Sequence, residues 1–88
     1  MPIISQFYGI IIQMFFKEEG QHHQKHIHVK YSEYKAVYNL NGTILEGKLP
    51  NKQQKLVEAW IAIHQEELQS LWDLMQEQGE YFKIDPLK

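Results

Sequence analysis

Apolar, β-branched and aromatic residues run almost unbroken from Ile3 to Phe16, and the polar stretch EEGQHHQ follows. A run of that kind, closed by a Gly- and Gln-rich loop, predicts a first strand. From His26 the period becomes two: Ile27, Val29 and Tyr31 fall on one face, and His26, His28 and Lys30 on the other. Beyond Ser32-Glu33, the residues Tyr34, Ala36, Tyr38 and Leu40 continue the apolar face, opposed by Lys35, Val37 and Asn39. Asn41-Gly42 is the strongest hairpin signal in the chain, because a type I′ turn needs positive φ at both central residues. The segment TILEGKL supplies a fourth strand behind it.

Turn positions set registers that can be checked against the hydrophobic pattern. A two-residue turn at Ser32-Glu33 pairs Val29 with Ala36 and His28 with Val37; a turn at Asn41-Gly42 pairs Tyr38 with Leu45 and Val37 with Glu46. Both keep one face apolar, and a slip by one residue would scramble it. Ile27, Val29, Tyr31, Tyr34, Ala36, Tyr38, Leu45 and Leu49 are therefore expected to face a core. The opposite face collects His26, His28, Lys30, Lys35, Asn39, Glu46 and Lys48, with the three lysines roughly in line across three strands.

After Leu49-Pro50-Asn51 the period becomes helical. Val57, Trp60, Ile61, His64, Leu68, Leu71, Trp72 and Met75 recur at steps of three and four, and neither Pro nor Gly interrupts residues 51–78. One long helix, or two with a bend near His64, is expected, stopped by Gly79. Tyr81, Phe82 and Ile84 of the tail are expected to lie back on the body. The fold class is α+β: a four-stranded antiparallel meander over residues 3–49, covered on one face by the helix of residues 51–78, in a single domain of 88 residues.

Composition narrows the chemistry. There is no cysteine, so disulfides, thiolate metal sites and cysteine nucleophiles are excluded. The apolar run of residues 7–16 contains Gly9 and Gln13 and is far short of the roughly 20 residues that cross a bilayer. A protein of the cytoplasm, without a membrane association, is expected. Nine lysines, no arginine and eleven acids give a net charge of −2, whereas proteins that track phosphates usually carry basic excess and arginine forks. With no Gly-rich phosphate loop and no other cofactor signature, no cofactor is expected.

The two histidines at positions 26 and 28 admit three readings. On a strand they share a face, and two imidazoles meet one Zn²⁺ at about 2.0–2.1 Å if His22, His23 or Glu46 completes the set. As a catalytic pair, His26 and His28 would act as base and acid in RNA cleavage, with a lysine stabilising the transition state. The plain alternative is a pair of polar residues on a solvated sheet face. A row of Lys30, Lys35 and Lys48, beside Glu46 and Asn39, either spreads into water or meets an anion or a partner, since like charges opposed across strands are unfavourable. Elsewhere His22 and His23 read as loop histidines, His64 as a hydrogen-bonded core histidine, Trp60 and Trp72 as helix anchors, and the helix acids as its wet face.

Strand one is apolar on both faces. Tyr8, Ile10, Ile12, Met14 and Phe16 are expected to serve the core, which leaves Phe7, Ile11 and Phe15 on the histidine side as an interface stripe. Either the tail covers that stripe or another subunit does, a copy of the chain or a companion protein. An open sheet edge at strand one would also suit β-augmentation.

The segments FYGIIIQMFF, HIHVKY, YKAVYNL, ILEGKLP and LVEAWIAIHQEELQSLWDLM, in this order, resemble a small bacterial domain-of-unknown-function family with an FYG-I-x-I N-terminus and an H-hydrophobic-H-V strand. The likeness spans essentially the whole chain, with Lys25 where the family usually has proline. Proteins similar to this are often encoded beside a second small protein in arrangements that look like toxin–antitoxin pairs. The resemblance therefore implies a partner-binding component of such a pair, with a companion from a neighbouring gene or a second copy as partner and RNA as an alternative target.

Overall fold

Gly9 breaks the first apolar run in two. In the computed structural model, which describes residues 2–15 and 25–87, Tyr8 and Gly9 both take positive φ (49° and 78°) and form a two-residue hairpin turn between strands β1 (Ile3–Phe7) and β2 (Ile10–Gln13). The sheet therefore has five strands where four were expected. β3 (His26–Tyr31), β4 (Tyr34–Asn39) and β5 (Ile44–Gly47) complete an antiparallel meander in the order β1-β2-β3-β4-β5. The turn also changes the parity of the face. Phe7 now sits opposite Ile10, so both point into the core, and Phe7 packs on Trp60 with ring centroids 5.7 Å apart.

The β3–β4 hairpin has the expected register, with Val29 opposite Ala36 and His28 opposite Val37. The next loop departs from expectation. Gly42 N–H donates to Asn39 O at 3.1 Å, so the turn is centred on Leu40-Asn41, and Gly42 follows at φ 91°. The Asn39 side chain stabilises this longer loop, its Oδ1 accepting N–H bonds from Asn41 (3.0 Å) and Thr43 (2.9 Å). The extra residue leaves Val37 opposite Glu46 but brings Ile44, not Leu45, opposite Tyr38. Leu45 is half-buried and Ile44 lies exposed at the sheet's border.

The helical segment divides into α1 (Asn51–Ile63) and α2 (Gln65–Gln78), with His64 between them at φ −109°, ψ 29°. Side chains fix the bend. Gln65 Nε2 donates to Leu40 O, and His64 Nδ1 meets Glu67 Oε1 at 2.5 Å. Val57, Trp60 and Ile61 of α1 and Leu68, Leu71 and Met75 of α2 are buried against Ile10, Ile12, Ile27, Val29 and Tyr38 of the sheet. Gly79 ends α2 in the left-handed conformation at φ 70°.

The tail lies along the outer edge of β1, not over Ile11 and Phe15. Ile84 N–H donates to Ile4 O at 2.8 Å, Ile84 is buried, and the fully buried Trp60 donates its indole N–H to Asp85 O at 2.9 Å. Tyr81 and Phe82 remain exposed. No helix among the described residues is long and apolar enough to cross a membrane.

Where β3 begins, α2 closes over the end of the sheet. Lys25 Nζ reaches Gln69 Oε1 (3.1 Å) and Asp73 Oδ1 (3.2 Å), Gln76 Nε2 donates to Phe15 O (2.8 Å), and the Trp72 ring sits 5.4 Å from that of His26. His26 is thereby buried, 2% exposed, although it belongs to the face expected to be solvated.

Three outcomes test this packing. Trp60→Ala should cost about 3–5 kcal/mol by urea unfolding, because it opens a cavity and orphans the bond that holds the tail; a parent-like midpoint would show that α1 docks by another face. His26→Ala should cost about 1–3 kcal/mol and His28→Ala below about 1 kcal/mol, and the reverse order would mean that Trp72 does not cover His26. Tyr38 supplies the third. Its hydroxyl is buried without a hydrogen-bond partner among the described residues. Burial first, and the Glu58 carboxylate second, push its pKa from 10.0 up to about 12. A raised folded-state pKa gives stability that is intact below pH 10 and lost as pH rises through about 12. The difference, about 2–3 kcal/mol, should separate the parent from Tyr38→Phe in alkaline melts and leave Tyr38→Phe no less stable near neutrality.

Candidate functional site

Cross-strand registry on the face away from the helices builds two rows. Gln13, His28, Val37 and Glu46 are successive partners across β2 to β5. In the neighbouring row Ile11 opposes Lys30, Lys30 opposes Lys35, and Lys48 follows with its N–H bonded to Lys35 O at 3.1 Å. Lys30 and Lys35 are therefore aligned as expected from the sequence, and Lys48 is tied to Lys35 through its backbone N–H. None of Lys30, Lys35 and Lys48 has an ion pair among the described residues.

Between and above the rows lies an open groove of about 350 Å³, lined by Phe15, His28, Lys30, Lys35, Val37 and Glu46 among others. Phe15 leaves the end of β2 and stacks on His28, with ring centroids 4.2 Å apart and planes 18° from parallel. The edge of His26 meets His28 at 5.2 Å. A chain of rings, Phe15, His28, His26 and Trp72, thus runs from the groove into the body of the protein. Gln13 is also nearly buried, and its Oε1 has no hydrogen-bond partner among the described residues.

Gly47 closes the far end of the groove. At φ 78° it takes a conformation that side chains rarely adopt, and a Cβ there would lie 2.2 Å from Lys35 O. That close approach brings the β5 backbone tight against Lys35 before the chain turns away to Lys48 and α1.

The expected site residues therefore separate. His28, Lys30, Lys35 and Glu46 line one groove, and Lys48 adjoins it. His26 shares the face but lies beneath Trp72, so the groove meets only one of the two histidines. Asn39, expected among the binding residues, lends its carboxamide to the β4–β5 loop. Of the expected stripe, Ile11 and Phe15 are half-buried on the histidine side, while Phe7 faces the core. His22, His23 and Phe16 lie outside the described residues. Among the described residues no group of three or more His, Asp or Glu is placed to hold a metal ion.

The Phe15–His28 stack and the Trp72 cover were missed in the sequence. The first had a signal, because residues at the end of one strand and the start of the next are neighbours whenever the two form a hairpin. The second had none, since it depends on where α2 crosses the sheet. Chemically the groove offers fixed cations beside an apolar wall, an arrangement that holds an anionic group attached to a less polar body.

No curated protein and no solved structure matches this chain. A family model described as a domain of unknown function matches residues 9–73, from the β1–β2 turn to Asp73 in α2, and so includes every residue named in the groove. With that share of its length matched, the chain belongs to the DUF4160 family.

Proposed function

We propose that this protein is a partner-binding component of a toxin–antitoxin-like pair, and that the face carrying His28, Lys30, Lys35 and Lys48 receives an acidic surface of a companion protein. The observation that carries this reading is the lysine row. Lys30 and Lys35 stand directly opposite one another, with Lys48 beside them and no ion pair for any of the three among the described residues. Like charges so placed disfavour the sheet by an amount comparable to the roughly 0.2–1 kcal/mol of a good cross-strand pair. An arriving carboxylate relieves that repulsion and, once shielded from water, gains from it. Phe15 and Val37 beside the lysines give the same partner apolar contact. The likeness to proteins encoded in pairs supports a protein as the partner.

One observation favours RNA as a second reading. The Phe15–His28 stack lies next to Lys30 and Lys35, and a stacked ring pair beside cations can hold a base and its phosphate. The net charge of −2 and the absence of arginine weigh against a phosphate-tracking surface and toward a protein partner.

The companion encoded beside this gene should co-purify with the protein, with binding that weakens as salt rises. A Lys30→Glu, Lys35→Glu, Lys48→Glu variant should melt near the parent temperature and bind the companion about 100-fold more weakly, as charge reversal at a complementary interface does. If that variant captures the companion as well as the parent does, the lysine face is not the contact surface. RNA that the parent retains or degrades, and that His28→Ala leaves alone, would move the assignment to RNA.

A further inference from the structure

We propose that the groove receives the C-terminal residue of the companion chain, with its carboxylate between Lys30 and Lys35, its backbone N–H on Gln13 Oε1 and an apolar side chain against Phe15. The proposal rests on the partner-binding reading of this face and names the part of the partner that enters it.

Gln13 supplies the first observation. Its side chain lines the groove yet is only 7% exposed, and Oε1 has no hydrogen-bond partner among the described residues. A buried acceptor left unpaired is unfavourable, and an arriving donor relieves it. The last torsion of a glutamine is broad and roughly two-fold, so the carboxamide can turn Oε1 toward a ligand.

The cations stand at the right spacing for one carboxylate. Lys30 and Lys35 are direct cross-strand partners, and Cβ atoms of such pairs lie about 4.5–5.5 Å apart, so both ammonium groups can reach the same anion. Gln13 is opposite His28 and therefore diagonal to Lys30, a separation of about 7–8 Å that long side chains cross. A terminal residue carries its N–H and its carboxylate on the same carbon, so with a hydrogen bond of about 2.9 Å at each end it bridges that diagonal. An internal glutamate sets the two groups further apart on a flexible stem.

Shape and charge agree. At about 350 Å³ the groove is near the lower end of the roughly 300–1,000 Å³ of ligand pockets. It is bounded by the Phe15–His28 stack at one end and by Gly47 at the other. Such a hollow admits a residue or two end-on, not a strand running through. Its charged lining residues are Lys30, Lys35 and Glu46, two cations and one anion, so one carboxylate makes the lining neutral, whereas a phosphate monoester of about −1.5 to −2 overshoots. The described tail of a second copy is engaged elsewhere: Ile84 is bonded to Ile4, Asp85 O accepts from Trp60, and Leu87 packs on the core.

The test titrates the whole ¹⁵N-labelled protein with acetyl-Gly-Ser-Gly-Leu bearing a free C-terminal carboxylate, with its C-terminal amide, and with acetyl-Gly-Glu-Leu-Gly-amide. The free acid should shift the Gln13 carboxamide and the Lys30 and Lys35 amides. It should bind at least about tenfold more tightly than either amide, a margin that shrinks as salt rises. N-methylation of its leucine should weaken binding about tenfold in the parent and leave it unchanged in Gln13→Leu, which should melt no lower than the parent. A Gln13 that only supports the sheet would show no such coupling. Equal binding of acid and amide, equal binding of the acid and the internal-glutamate peptide, or no shift at millimolar acid overturns end-on docking. Companion capture, measured separately, then decides whether the wider reading stands. Adenosine monophosphate binding more tightly than the free acid would give the groove to a nucleotide, and shifts at Gln13, Lys30 and Lys35 that rise with protein concentration alone would give it to a second copy; either result also overturns the proposal.

Discussion

Burial of one sheet face under two helices is the constraint from which the rest of this structure follows. Ile27, Val29, Ala36 and Tyr38 must face Val57, Trp60, Ile61, Leu68 and Leu71, since apolar burial at roughly 25 cal/mol per Å² is the main favourable term available to so short a chain. Side chains alternate along a strand, so that requirement also decides what the other face carries. His28, Lys30, Lys35 and Glu46 share a surface because their neighbours are committed to the core. A slip by one residue would expose the apolar set and bury the lysines. Packing therefore enforces the registry of the lysine row even though the cations themselves oppose it.

Aromatic contacts close the fold at its margins. Trp60 packs on Phe7 and fastens the tail by its indole N–H, so one side chain joins β1, α1 and the C-terminal segment. Trp72 does a related job at the start of β3, where it shields His26 from water. In a small domain these contacts matter more than the exposed Lys25–Asp73 pair, whose worth in water is at most about 1 kcal/mol.

Local pattern made the β3–β4 hairpin, the apolar helix stripe, the bend at His64 and the Gly79 stop legible, because each depends on residues near one another in sequence. The departures arise where a single residue changes parity or where distant elements meet. Tyr8-Gly9 is a turn inside a run that reads as one strand, and the two residues it removes from the ladder send Phe7 to the core. Asn39 binds its own loop through Oδ1, which lengthens the turn expected at Asn41-Gly42 and moves Ile44 into the place expected for Leu45. The face of His26 was legible from alternation. Its burial was not, because Trp72 lies far along the chain and reaches it only through the path of α2.

The charge of the whole and the charge of the site have opposite signs. With a net of −2, the protein as a whole does not attract an acidic macromolecule, and beyond about 8–10 Å at physiological salt its surface charges are screened. Lys30, Lys35 and Lys48 act only at close range, so a partner must arrive in nearly correct registry before their attraction counts. Such a surface contributes less to capture from a distance than to discrimination at contact. Phe15 and Val37 add apolar contact in the same groove, and that contribution does not fade with salt. A partner combining acidic and apolar residues at the lysine face meets both demands, whereas a uniformly charged polyanion meets only one.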